Sequence, residues 1–411
     1  MKHLLVSLLC LLMSSFCFAQ QKTLDDYLQV AVKNSPLLKD LNNQILSAQL
    51  DSVRIKAGLK PQVSAGSAGL YAPVIRGYGY SQAITNGQTL DALLSVNKSF
   101  ISNGYLKAQY AGIGLQRDSL RNNIKLSEQD LRRTIAAQYI AAYGSLQQVK
   151  FNKEVVTLLS GEEDLLKKLT RNNVYHQSDY LTFLVTLKQA QLQLSQATLQ
   201  YKTDFATLNY LTGITDTTVA ELQKPALQRA INADKTNSIF FRQYALDSLR
   251  LLNTRKLIDY TYKPQVKAFA DGGYNSDLTA LYYKHFGTSI GFSLTVPIYD
   301  GGQRKLSYKK LSLEEESRKN YKSFFAQQYS QQIIQLNQQI DGYDTLIADI
   351  NNQFKYSETL IKVDTQLLQT GDLRMADLIL AINNYLSIRN LLTQNTISRL
   401  LLINQLNYWN R

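Results

Sequence analysis

Cysteine is nearly absent from this chain, and the two present, Cys10 and Cys17, both lie in its first twenty residues. Lys2 and His3 precede the apolar run Leu4–Met13, and Cys17-Phe18-Ala19 ends in a small residue, so these positions read as an export signal cleaved after Ala19. Without residues 1–19 the chain holds no thiol, which excludes a disulfide, a thiolate metal site and a cysteine nucleophile. Only His176, His285 and Met375 then remain of the other soft ligands, so no metal site and no cofactor is expected. Long hydrophobic runs are also missing. No later stretch reaches the roughly 20 apolar residues of a membrane-spanning helix, so a membrane could be crossed only with strands. Proline is scarce as well, and none interrupts Tyr105–Arg171 or Gln303–Thr370.

Charge is present in excess of one sign, with 45 Lys+Arg against 32 Asp+Glu. The basic residues are scattered and form no nucleic-acid module, so no nucleic acid is expected as a partner. A nucleotide loop is excluded too, because no Lys-Ser/Thr follows Gly301-Gly302. No nucleophile motif gathers serine, histidine and acid, so no catalytic residue is assigned and the chain is read as a non-enzyme.

What the sequence does have is duplication. Lys-Pro-Gln-Val occurs at Lys60–Val63 and again at Lys263–Val266. Asn103-Gly104 and Gly301-Gly302 lie 198 positions apart, as do Ser178-Asp179 and Ala376-Asp377, and Leu208-Asn209-Tyr210 and Leu406-Asn407-Tyr408. Each copy reads as a helix, a β-hairpin and two long helices. The first occupies 20–213, with a hairpin at about 61–100 and helices at about 105–171 and 177–211. The second occupies 214–411, with a hairpin at about 264–298 and helices at about 303–370 and 376–409.

The strand segments alternate. Leu90, Ala92, Leu94, Val96 and Phe100 share one face, with Lys98 the exception, and Ile290, Phe292, Leu294, Val296 and Ile298 share another. An apolar face opposite a Ser/Thr/Asn/Gly face over about 10 residues is the pattern of a membrane barrel strand, and also of a half-buried hairpin. Tyr71, Tyr274, Tyr282 and Tyr283 flank the loops as candidate interface aromatics, and His176 and His285 are expected to lie exposed. The proline-free segments would form helices of about 100 Å at roughly 1.5 Å per residue. Leu131, Ile135, Tyr139 and Leu146 give one of them a coiled-coil-like face. Four strands cannot close a barrel, for which 8 is about the minimum, and open edges are not tolerated in lipid, so several chains must pool their strands.

Local chemistry assigns the punctuation. Gly301 and Gly302 let the backbone turn from strand into helix, with Asp300 available as N-cap. Gly371 suits the left-handed end of a helix and Asn173 is the usual substitute there. Asp179 and Asp377 then sit favourably against the dipoles of the returning helices.

Leu294-Thr295-Val296-Pro297-Ile298-Tyr299-Asp300-Gly301-Gly302-Gln303-Arg304 resembles the strand-to-helix signature of TolC-like outer-membrane efflux proteins, and Ser99–Gly104 resembles a weaker copy of it. Gly371–Leu378 resembles that family's helical-tip motif, with Asn173–Leu181 as its counterpart, and Thr23–Tyr27 with Asn34-Ser35-Pro36 fits the family's start. The resemblance implies an α+β membrane protein: a homotrimeric, 12-stranded transmembrane β-barrel continued by an α-helical periplasmic barrel. It further implies location in the outer membrane of a Gram-negative envelope, contact with outer-membrane lipid, and docking to a periplasmic adaptor (membrane fusion) protein that joins it to an inner-membrane pump. The implied function is passive conduction of small toxic compounds. A duct for type I protein secretion and a non-channel periplasmic coiled-coil scaffold stand as alternatives. The implied site is the periplasmic aperture and adaptor-docking tips (Asn173, Ser178, Asp179, Gly371, Arg374, Asp377), with turns at Asn103, Gly104, Pro297, Asp300, Gly301 and Gly302. One turn beyond Asp377, where the family often carries a further acid, this chain has Leu380.

Overall fold

The computed structural model describes residues 23–216, 218–230, 238–278 and 281–410. The expected export signal lies outside these residues. The elements, in order, are α1 (Leu24–Asn34), α2 (Pro36–Gly58), β1 (Gln62–Tyr71), the single turn α3 (Gln82–Thr85), β2 (Gln88–Phe100), α4 (Asn103–Arg171), α5 (Gln177–Thr212), α6 (Ile239–Thr261), β3 (Gln265–Ser276), β4 (Phe286–Thr295), α7 (Gln303–Thr370) and α8 (Met375–Trp409). A 3-10 turn, Tyr282–Lys284, lies in the loop before β4. No described helix is long and apolar enough to cross a membrane.

The chain forms two compact units that do not follow the sequence copies, since each takes segments of both. One comprises the described parts of Met1–Lys39, Lys125–Ile239 and Phe324–Arg411; the other comprises Asp40–Ile124 and Phe240–Ser323.

The first unit is helical and holds the buried core. Thr23 opens α1 with a capping box: its hydroxyl accepts from the Asp26 amide while the Asp26 carboxylate accepts from the Thr23 amide. Leu24, Tyr27 and Ala31, at helical spacing, then pack against Ile135, Tyr139, Tyr201 and Phe205. A second cluster joins Phe151, Leu159 and Leu166 of α4 to Phe183 and Leu187 of α5, Leu368 of α7 and Leu378 and Ile382 of α8. Polar ties sit among these contacts. Asn34 donates to the Thr212 carbonyl (3.0 Å) and Asn404 to the Arg133 carbonyl (2.8 Å). Trp409 packs edge-on against Tyr329, whose hydroxyl donates to the Trp409 carbonyl.

The second unit carries one four-stranded antiparallel sheet in the order β1-β2-β3-β4. Strands β2 and β3 pair although most of the first copy separates them in sequence, so the two hairpins lie side by side. β4 ends at Thr295, short of the expected Ile298. Pro297 supplies no ladder donor and restricts Val296 before it, which stops the pairing there.

Candidate functional site

The sheet has two chemically distinct faces, and its register shows which residues share them. Val63 pairs with Val96, Val96 with Ala270, and Ala270 with Ile290; Phe100 pairs with Val266, and Val266 with Leu294. Paired residues point the same way, so this face also holds Ala65, Tyr71, Leu90, Leu94, Tyr274, Phe286 and Phe292. Its members stand open: Ile290 is 88% exposed and Phe292 80%. Lys98 is its one charged residue. The opposite face carries Ser64, Asp91, Ser95, Asn97, Lys267, Asp271, Ser289 and Ser293. There Asp91 accepts from the Ala68 amide and Asp271 from the Ser289 hydroxyl. A water-soluble hairpin would bury the apolar face, and this sheet does not.

Below β4, Gly301 and Gly302 take φ values of 65° and 83°, the left-handed region that glycine enters without strain. Asp300 caps α7 across this loop rather than from the adjoining position, accepting from the amides of Gly302 (2.8 Å) and Arg304 (2.7 Å). Those amides hold its carboxyl below the usual range. Arg304 reaches Asp259 at the end of α6 (2.8 Å) and the Tyr308 hydroxyl, which itself contacts Asp259. The first copy solves the same junction differently. Asn103 and Gly104 are already helical, and neither has a positive φ, so no glycine turn exists there. Close approach favours Gly104 instead: a Cβ at that position would collide with the Tyr260 side chain.

At the helix ends, Asn173 (φ 62°) and Gly371 (φ 82°) make matching left-handed turns. The Val174 amide donates to Leu169 and the Asp372 amide to Leu367, the six-to-one bond of a Schellman ending. The two turns meet. Val174 covers Gly371, and the buried Tyr175 hydroxyl donates to the Leu373 carbonyl at 2.7 Å, a contact between equivalent positions of the two copies. Asp179 accepts from the His176 amide, Ser178 is exposed beside it, and Asp377 is held in a two-point ion pair by Arg374 (2.8 and 3.1 Å). The pair places a cation on the Asp377 carboxylate, so the second-copy tip carries a local dipole there rather than a bare acid.

Asp364 escaped the sequence reading. It is buried between Ile361 and Leu368 on α7, and burial, with the nearby Asp377 carboxylate, pushes its carboxyl up. The available signal was an acid placed on an apolar 3–4 stripe. His285, expected to be exposed, is part-buried with its Nδ1 2.6 Å from the Ser276 hydroxyl. Among the described residues no group of three or more His, Cys, Asp or Glu could hold a metal ion.

No protein-family model matches the sequence, and no curated protein does. Solved structures do match in fold. A membrane protein from Pseudomonas aeruginosa aligns with TM-score 0.73 at 14% identity, over 94% of this chain and 90% of its own. The outer membrane protein VceC from Vibrio cholerae aligns at 0.69 and 12% identity, over 94% and 96%. The CmeC outer membrane channel of Campylobacter jejuni aligns at 0.69 and 13%, over 94% and 85%. At 12–14% identity these matches establish a shared fold. It is the TolC-like fold that the motifs at Leu294–Arg304 and Gly371–Leu378 lead one to expect.

Proposed function

We propose that the chain is one protomer of an outer-membrane export channel. Three copies pool four strands each into a twelve-stranded barrel that conducts small toxic compounds outward. A periplasmic adaptor and an inner-membrane pump feed it, and the tips at Asn173–Asp179 and Gly371–Asp377 form its periplasmic aperture and adaptor-docking surface.

The observation that carries this reading is the sheet: one face apolar and open, the other polar, and edge strands β1 and β4 each paired on one side only. Such a sheet is stable in lipid only when other copies close the ring. The ten residues of β4, at about 3.3 Å each and a tilt near 40°, give an apolar band of about 25 Å, the height of an outer-membrane core. The fold neighbours named as outer-membrane channels support the same assignment.

The test is reconstitution and deletion. Purified protein gives a trimer mass in mild detergent and discrete conductance steps in planar bilayers, and deleting its gene sensitises cells to toxic compounds. A detergent monomer without conductance refutes the channel. Conductance with unchanged drug tolerance and loss of an exported polypeptide favours the secretion duct.

A further inference from the structure

The polar face of the sheet is not evenly covered. One row across it reads Gly66, Leu93, Gly273 and Gly287, so only Leu93 presents a side chain there. Gly273 answers to the backbone: it takes φ 153°, and a Cβ on it would collide with the Ala92 carbonyl. Gly287 answers to no such demand, since a Cβ there would meet nothing within 4 Å. Its bareness leaves open space rather than relieving a clash.

That space is a hollow of about 580 Å³. Gly273 and Gly287, paired with each other, form its floor. Asp271 and Ser289, the next pair on the same face, stand on one side of it. On the other stands Asn275, whose amide donates to the His285 carbonyl. Leu93 of β2 adds an apolar wall, and Asp277 lines the hollow from the loop that follows β3. The strand residues among these alternate with Ala270, Tyr274 and Ile290 of the apolar face, so all of them lie on one side of the sheet.

Two carboxylates therefore line the hollow among hydroxyls and amides, and no described lysine or arginine does. Lys267 is on the same face but four residues down β3 from Asp271, about 13 Å away. Lys284, beside His285 in sequence, turns to the Tyr283 ring instead, 5.9 Å from its centre. Unbalanced acid next to an apolar wall suits a ligand that is cationic at one end and greasy at the other. Among the described residues no cluster could hold a metal ion, so a fitting cation brings its own hydrogen-bond donors. An ammonium does, with N–H groups for the carboxylates and the Ser289 hydroxyl. A neutral solute has no use for the charge.

We propose that this hollow binds an organic ammonium, its charge against Asp271 and Asp277 and its apolar body along Leu93. The proposal rests on the channel reading, which turns this face toward the lumen, and it names cationic amphiphiles as a class of cargo. Each trimer then carries three such stations near the loop end of its barrel.

The experiment records single-channel current of the full protein in planar bilayers while hexylammonium is added at fixed ionic strength. Wild type is expected to show concentration-dependent block. Asp271→Asn removes a charge, and Gly287→Val fills the hollow without removing one; each alone raises the half-blocking concentration about tenfold. Asp91→Asn takes away an acid of the same face whose carboxylate is turned to the Ala68 amide, outside the hollow, and shifts block by about threefold at most. A shift by Asp91→Asn as large as that of Asp271→Asn would assign the block to the general charge of the lumen and overturn the proposal. Equal block by 1-hexanol would also overturn it, as would open wild-type channels that hexylammonium leaves unblocked. Those results leave the channel reading standing, whereas absence of any wild-type conductance overturns that reading and the proposal with it.

Discussion

Ile290 and Ser289 are neighbours in β4 that point to opposite faces, which makes them a matched pair for testing the membrane assignment. Ile290 is 88% exposed and lies in a row with Ala270, Val96 and Val63. In water, arginine at so open a position would change stability by no more than about 0.5 kcal/mol. In lipid, arginine near the midplane of a barrel costs about 2–4 kcal/mol per site, and a trimer carries three such sites, or about 6–12 kcal/mol together. Ser289→Arg adds the same side chain on the polar face, beside Asp271, where it finds an acid and water. The assay follows heat- and urea-resistance of the folded trimer in phospholipid vesicles by unheated gel electrophoresis. I290R is expected to abolish or sharply lower the transition, and S289R to leave it within the scatter of wild type. Equal midpoints for the two variants, whether high or low, would refute the argument that the open apolar face meets lipid.

Arg374→Gln leaves Asp377 without its two-point partner; in the proposed trimeric aperture three bare carboxylates would then face one another, and zero-current potentials under a salt gradient should move toward cation preference. No shift would show that the pair does not line the conduction path. Gly104→Ala drives a Cβ into Tyr260 and should destabilise the fold by about 1–3 kcal/mol, with Tyr260→Ala restoring most of the loss in a denaturant-melt cycle. Additive losses would disprove the contact. Asp364 has a raised carboxyl, so its ionised form opposes folding; the native state gains most where it is protonated and loses that contribution as pH rises through the raised value. Asp364→Asn should therefore melt higher than wild type at neutral pH, with the difference closing as pH falls toward the ordinary carboxyl value of 3.8. A pH-independent difference would assign the effect to packing.

The strands were legible because their apolar face stands open along its whole length. A face with no complementary neighbour in the chain leaves the pattern unbroken, so Leu90-Ala92-Leu94-Val96 and Ile290-Phe292-Leu294 declare themselves by alternation alone. The helix endings at Asn173 and Gly371 were legible for a related reason: left-handed backbone admits few residue types. Contacts between distant segments were not. Nothing near Gly104 announces Tyr260, and nothing near Arg304 announces Asp259, 45 positions earlier. The resemblance implies a turn at Asn103-Gly104, the counterpart of Gly301-Gly302, whereas Gly104 is helical and its missing Cβ leaves room for Tyr260. His285 was placed at the surface because loops are usually solvated, but its contact with Ser276 joins the two ends of one loop. Asp364 sits in a seam that polar residues already punctuate, and a single carboxylate does not break such a stripe visibly.

The four-stranded sheet also constrains how the molecule is born. A freshly exported chain would cross an aqueous compartment bearing a greasy sheet with two sticky borders, the kind of surface that templates disordered aggregates. Its journey therefore calls for an escort that shields those borders until kin arrive.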